Sequence, residues 1–362
     1  MSALPQAAAS PNPQPLIVYG LGAIGRRIVD ELIDNGLKVE RILDRGKRGE
    51  IYRDISVEAL EDIAPGTLAG RTVMIGLHNH YVNVGHLHGE LRAAGAAQVL
   101  TPIALRTLVP DSTLDPGYWL DPDYDYASHE DRLAHVRGLL ADETSRALFD
   151  AILRYRRSGD LADCPVPSLE DEYTPSDLPR FAQPLRIVDC GAFTGVAIHK
   201  FLKAGYQIES FVAFEPDPEN FATLAGRDFP VARSLCLPMG TWSETKQLRF
   251  ASEGSMGSHL SDTGDTIVQC VAVDDVLGGE PVNIVKFDVE GAEIETLKGM
   301  ERLIRGQRPN LLVSVYHTPG HLHEIAELIE SWQLDYRFHL RVHEQNTFGV
   351  VLYCVQDELL SV

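Results

Sequence analysis

Paired cysteines are missing from this chain. Its five cysteines, Cys164, Cys190, Cys236, Cys270 and Cys354, are scattered, show no CxxC spacing and are odd in number. That pattern argues against a disulfide framework and a cysteine-based zinc site, and suits reduced, mostly buried thiols in a cytoplasmic protein. Basic charge is also scarce: 32 Lys and Arg stand against 52 Asp and Glu, a net charge of −20. Such an excess repels phosphate backbones and anionic lipid, and no run of Lys and Arg offsets it locally. Nucleic acid is therefore not an expected partner. No apolar run approaches the roughly 20 residues of a membrane span. The opening MSALPQAAASPNPQP has neither a basic region nor an apolar core, so residues 1–15 are expected to be a disordered tail rather than a signal peptide.

What remains is an ordinary globular composition, 44% apolar and 23% charged over 362 residues, with length for about two or three domains. Two strand–glycine–helix openings organise it. The first runs from the apolar Leu16–Gly20 through Gly20-Leu-Gly22-Ala-Ile-Gly25 into a helical pattern that stops at Asn35-Gly36. Further strands are expected at 39–44, 72–77 and 98–101, giving a small parallel, Rossmann-like α/β domain over 16–108, shorter than a six-stranded dinucleotide domain. Residues 109–183 read as a helical and acidic linker that could serve as a lid. Two helices lie near 128–157, the first opened by a capping box at Ser128 and Asp131, followed by the aperiodic CPVPSLEDEYTPSDLP. From 184 to 362 strands and helices alternate again, and the last two strands have almost no helix between them, which makes them antiparallel neighbours.

The second opening, Ile187-Val-Asp189-Cys-Gly191-Ala-Phe-Thr-Gly195, carries the strongest chemical signal. Glycines four apart after a strand allow a tight turn and close approach of a ligand. Asp189 lies two residues before the first glycine, where a carboxylate would attract a cation such as the ammonium or sulfonium of S-adenosylmethionine. Glu215 in FEP closes the next strand, and an acid there can accept hydrogen bonds from ribose hydroxyls. A structural glycine turn with a surface acid is the plain alternative. Downstream, Asp288 and Glu290 in KFDVEGAE share a strand face at i and i+2, which points both to the carboxyl end of the sheet. They could place a substrate hydroxyl, a metal ion or a base, or be structural carboxylates. Glu293 in the first helical turn reads as a cap. His317, after the next strand, lies on the same rim and could be a general base, a substrate ligand or a core histidine.

The ordered series DCGAFTG, FEPDPEN, VKFDVEGAEIETLKGM and SVYHTPGHLHEI, with VAVDDVL and YRFHLRVH, resembles the FkbM family of S-adenosylmethionine-dependent methyltransferases. The resemblance covers roughly 184–362. It implies a class I methyltransferase fold, a doubly wound seven-stranded sheet with one antiparallel strand, preceded here by the smaller Rossmann-like domain. It also implies O-methylation of a hydroxyl on a sugar, a glycan precursor or a related natural product. By position, Asp189, Gly191, Ala192, Phe193, Gly195, Glu215, Pro216 and Asp217 would hold S-adenosylmethionine, and Trp242 would pack near the adenine or in the core. Asp288, Glu290 and His317 would line the acceptor side. His321 and His323 depart from the usual family pattern and receive no function. A divalent metal and a homo-oligomer are left open.

The GLGAIG loop, Gly20, Gly22 and Gly25 with Asp44 at the next strand end, meets the dinucleotide fingerprint. It supports two further readings, an NAD-dependent oxidoreductase or a nucleotide-sugar-binding protein. A purely structural unit, or a non-catalytic scaffold with a methyltransferase fold, stands beside them. His78, His80, His86 and His88 are clustered in sequence, but no carboxylate or cysteine completes a metal set.

Overall fold

The computed structural model describes residues 14–114, 117–121, 123–169, 171–251, 259–260 and 266–360, so all but the last two residues of the expected tail lie outside the described residues. The chain divides into two compact units. One comprises 1–126, 150–166 and 344–348, the other 127–149, 167–343 and 349–362. The segment 109–183 is thus shared between them. Among the described residues, no helix is long and apolar enough to cross a membrane.

In the first unit β1 (Leu16–Tyr19) turns into α1 (Ala23–Asp34). There follow β2 (Val39–Leu43), β3 (Ile51–Tyr52), β4 (Ile55–Glu58), β5 (Thr72–Ile75), α2 (Val84–Ala93), β6 (Gln98–Leu100) and the single turn α3 (Leu105–Leu108). The sheet order is β3-β4-β2-β1-β5-β6, parallel throughout except for the β3–β4 hairpin. It therefore has six strands where the sequence pattern suggests four, because the hairpin strands are too short to show an alternation. Side chains alternate across the sheet: Leu16 and Val18 pack with Ile28, Val29 and Leu32 of α1, whereas Ile17 packs with Val84, Leu87 and Leu91 of α2. From β4 the chain crosses β1 to reach β5, so the switch point at which open α/β sheets take ligands lies between the carboxyl ends of β1 and β5.

The second unit opens with α4 (Glu130–Leu139) and the start of α5 (Glu143–Ser158). Then come β7 (Leu185–Cys190), α6 (Val196–Lys203), β8 (Ile208–Phe214), α7 (Pro218–Ala225) and β9 (Arg233–Leu237). A separate small sheet holds β10 (Gly240–Thr241), β11 (Lys246–Ala251), β12 (His259–Leu260) and β13 (Thr266–Val271). The chain returns to the main sheet through α8 (Val273–Val276), β14 (Ile284–Phe287), α9 (Glu293–Lys298), α10 (Glu301–Gln307), β15 (Asn310–Ser314), α11 (His321–Ser331), β16 (Arg337–Val342) and β17 (Val350–Val355).

The main sheet has the order β16-β17-β15-β14-β7-β8-β9. β17 runs antiparallel to both neighbours, as expected of the closing strand pair. Leu185 and Ile187 of β7 pack on Ile198 and Phe201 of α6, the apolar pattern of a parallel sheet covered by helices. The expected capping box does not form: α4 begins at Glu130 behind His129, with no side-chain cap. Asp142 caps instead, its Oδ1 accepting from Ser145 N at 2.6 Å at the start of α5. Its other oxygen meets His339 at 2.5 Å and Arg341 at 3.1 Å on the edge strand β16. Arg132–Glu327 and His135–Glu330 pairs tie α4 to α11 along the same edge.

Candidate active site

The glycine turn after β7 is fixed by sterics. Gly191 sits at φ +77°, and a Cβ there would stand 1.9 Å from the Asp288 carbonyl oxygen, so no side chain fits. Gly191 N and Ala192 N donate to the Phe214 carbonyl at 3.0 and 2.9 Å, joining the turn to the end of β8. Gly195, at φ +82°, lies where a Cβ would strike Phe229 at 2.8 Å. Glu215 follows β8, only 5% exposed. Its Oε2 accepts from Phe193 N at 2.8 Å and its Oε1 from Asp217 N at 2.9 Å. Among the described residues no cation pairs with it, and burial pushes its pKa up to about 7.

Asp189 meets a cation supplied by the fold itself. Lys286 is its register partner on β14, and Nζ lies 3.0 Å from Asp189 Oδ1, with both side chains buried. The same Nζ donates to the Gly191 carbonyl at 2.5 Å and stands 3.7 Å from Asp288. Burial raises the Asp189 pKa and Lys286 opposes it. Burial would lower the Lys286 pKa, but Asp189 and Asp288 hold it above its usual value. Asp189 therefore holds the turn through Lys286, and its charge is already answered before any ligand arrives.

Asp288, Glu290 and His317 do converge, by a route different from the strand pleat. β14 ends at Phe287, and Glu290 takes a left-handed φ of +53° in the turn beyond it. His317 Nε2 lies 3.5 Å from Asp288 Oδ1 and 3.5 Å from Glu290 Oε2, while Nδ1 lies 2.8 Å from Glu293 Oε1. The two rim acids keep about a quarter of their side chains exposed, at 25% and 24%, whereas His317 and Glu293 are buried beneath them. Burial alone would push the His317 pKa down. Glu293, Glu290 and Asp288 overcome it and carry the pKa up to about 10, which keeps the ring cationic. Burial likewise would raise Glu293, but His317 and His321 hold it well below the usual range. Burial pushes Glu290 up to about 8 against the pull of His317. Tyr173 and Tyr316 donate to Asp288 at 3.3 and 3.5 Å.

Asp217, expected near the cofactor, and Trp242, expected near the adenine or in the core, both have local structural contacts. Asp217 is the N-cap of α7, with Oδ1 accepting from Glu219 N and Asn220 N at 2.9 and 3.0 Å. Trp242 packs with Leu248, Val268 and Cys270 of the small sheet and has Lys246 Nζ 4.8 Å from its ring centre. Three residues were not legible from the sequence in these roles: Lys286, Glu293 and His321. Glu293 is a buried counter-charge rather than a cap, accepting from Val289 N at 2.9 Å and lying 3.2 Å from His321 Nδ1. The i, i+4 pair His317 and His321 was the available signal. In the first unit Asp44 follows β2, with Oδ2 accepting from Leu21 N at 2.7 Å and Oδ1 from Gly46 N at 2.9 Å.

Residues 189–338 match the family described as Methyltransferase FkbM domain. The chain carries an FkbM methyltransferase domain. That domain holds every rim residue described above. Hexuronic acid methyltransferase AglP of Haloferax volcanii is 28% identical over 129 residues, 34% of this chain and 53% of the relative. The chain thus spans about half the length of that curated relative. The crystal structure of Methyltransferase FkbM from Methylobacillus flagellatus KT aligns with a TM-score of 0.75 and 21% identity, over 95% of this chain and 90% of that one. The fold likeness therefore extends beyond the FkbM domain into the first unit.

Proposed function

We infer that the chain transfers a methyl group from S-adenosylmethionine to a hydroxyl of a sugar or glycan precursor. One observation carries the reading: the glycine turn, Glu215, Asp288, Glu290 and His317 all follow the carboxyl ends of neighbouring strands of one sheet, where open α/β folds bind ligands. The name of the Haloferax relative supports a sugar as acceptor. The residues fit the cofactor at its ribose end. Glu215 is a buried carboxylate held beside the turn by two N–H groups and unpaired with any cation among the described residues, so two ribose hydroxyls would add the donors that such a group needs. When bound, S-adenosylmethionine supplies an electrophilic methyl on sulfonium.

This chain's residues then have to align the acceptor and take its proton. Alignment contributes most, on the order of 7–11 kcal/mol for well-oriented reactants. Glu290 takes the hydroxyl proton on its carboxylate, with a pKa of about 8 that suits a base working near neutrality. His317 is already protonated, so it serves by fixing the Glu290 and Asp288 carboxylates through Nε2. Asp288 accepts the acceptor's hydrogen bonds alongside Tyr173 and Tyr316.

Calorimetry with S-adenosylhomocysteine is the first test, followed by methyl transfer from labelled S-adenosylmethionine to free and nucleotide-linked hexuronic acids. Binding lost in Glu215→Ala, and transfer lost in Glu290→Gln with cofactor binding retained, is the expected pattern. A wild type that binds no S-adenosylhomocysteine would overturn the reading.

A further inference from the structure

The first unit carries a glycine loop that methyl transfer leaves unused. Two of its glycines have structural reasons. Gly20 adopts φ +95°, and a Cβ on Gly25 would lie 2.0 Å from the Gly20 carbonyl oxygen. Gly76, just past β5, closes the same knot, with its Cβ position 2.7 Å from both the Gly20 oxygen and Gly25 Cα. Gly22 is different. It is exposed, has an ordinary φ of −68°, and a Cβ there would meet nothing within 4 Å. Nothing in the fold requires glycine at this position, which caps the twelve-residue α1 without a side-chain bond. The bare backbone leaves room for a ligand to approach the first N–H groups of the helix.

A second observation comes from His78, two residues beyond Gly76 at the same switch point. Its Nε2 is buried and has no hydrogen-bond partner among the described residues. The ring bonds the Gly117 backbone and packs 4.9 Å from Phe348 and 5.1 Å from Trp119, and burial pushes its pKa down to about 4, so it is neutral. A buried neutral imidazole nitrogen at the carboxyl end of a strand calls for a polar partner. Asp44 is also held as Glu215 is, by one N–H from the glycine turn and one from two residues ahead. The electrical setting differs: Tyr19 ends β1, and the first turn of α1 has no acidic residue to oppose a phosphate at the helix start.

We propose that the first unit binds a pyrophosphate-bridged ribonucleotide, with its ribose hydroxyls at Asp44 and its pyrophosphate over Gly22 at the start of α1. The test is calorimetric titration of the full chain with ADP-ribose, NAD and UDP-glucose, each in excess S-adenosylhomocysteine to occupy any adenosine site in the FkbM domain. At least one should bind with one-to-one stoichiometry. Gly22→Asp places a carboxylate where the phosphates sit while supplying a good N-cap, so it should weaken binding by at least ~10-fold with the melting temperature retained. Gly22→Ala, a smaller change, should fold and bind more weakly than wild type. NAD and ADP-ribose binding without UDP-glucose identifies a dinucleotide, and UDP-glucose binding alone identifies a nucleotide-sugar. The proposal fails if none of the three binds at about 1 mM, or if both Gly22 variants bind as tightly as wild type. Loss of S-adenosylhomocysteine binding in the wild type would count against methyl transfer and leave this comparison of Gly22 variants intact.

Discussion

The two glycine turns of this chain share a mechanical plan and differ in their charges. In each, an acid after the second strand accepts one N–H from the turn and one from two residues ahead of itself: Asp44 holds Leu21 and Gly46, and Glu215 holds Phe193 and Asp217. In each, a glycine faces a carbonyl oxygen at about van der Waals exclusion, Gly25 against Gly20 and Gly191 against Asp288. The difference lies beneath the turn. The first has Tyr19 at its strand end, whereas the second has the buried Asp189–Lys286 pair and, on the adjoining rim, three carboxylates around His317. A common backbone device is therefore set on different charges, and the side chains behind and beside it make the difference.

Lys286→Met tests that difference most severely. It leaves Asp189 buried without its counter-charge and should destabilise the second unit by ~3–5 kcal/mol in urea unfolding. Lys286→Met combined with Asp189→Asn should recover part of that loss; no recovery would mean that Lys286 matters through its bond to the Gly191 carbonyl instead. Next in size is pH dependence. The His317 pKa is raised from 6.5 to about 10, so its stabilising contribution is complete below about pH 6.5 and is lost as pH rises towards 10. The stability gap between wild type and His317→Gln should shrink by ~2 kcal/mol or more across that window, and a gap that widens with pH contradicts the cationic ring. The shared plan is tested by Gly25→Ala and Gly191→Ala, each expected to cost ~1–3 kcal/mol or more through overpacking, with unfolding monitored for each variant. The smallest effect belongs to Gly22→Ala, within ~1 kcal/mol in the same assay. A Gly22 cost as large as that at Gly25 would make the first turn wholly structural.

Much of this architecture is legible in the residues. The runs at Leu16–Tyr19 and Leu185–Cys190, each followed by a glycine turn, announce both parallel sheets, and the closing strands β16 and β17 pair as their short connection requires. The hairpin of β3 and β4 is not legible, because two and four residues carry no reliable period. Burial of charge is harder still. Lys286 reads as an interruption in an apolar strand until register places it beside Asp189, and the partners of Glu293 come from beyond the next strand. Trp242 and Asp217 show the opposite case: a motif position suggests a ligand contact, while the sequence does not reveal the local packing and helix capping that also engage these side chains.

Phe348 has a consequence for synthesis. It packs against His78, Tyr118 and Trp119 of the first unit, yet it stands between the last two strands of a 362-residue chain. The aromatic cluster around His78 is thus completed only after residue 348 has been made, beyond all of the residues 189–338 that match the FkbM domain. A fragment ended before the FkbM domain would lack this ring, so the first unit cannot be isolated intact by a single cut.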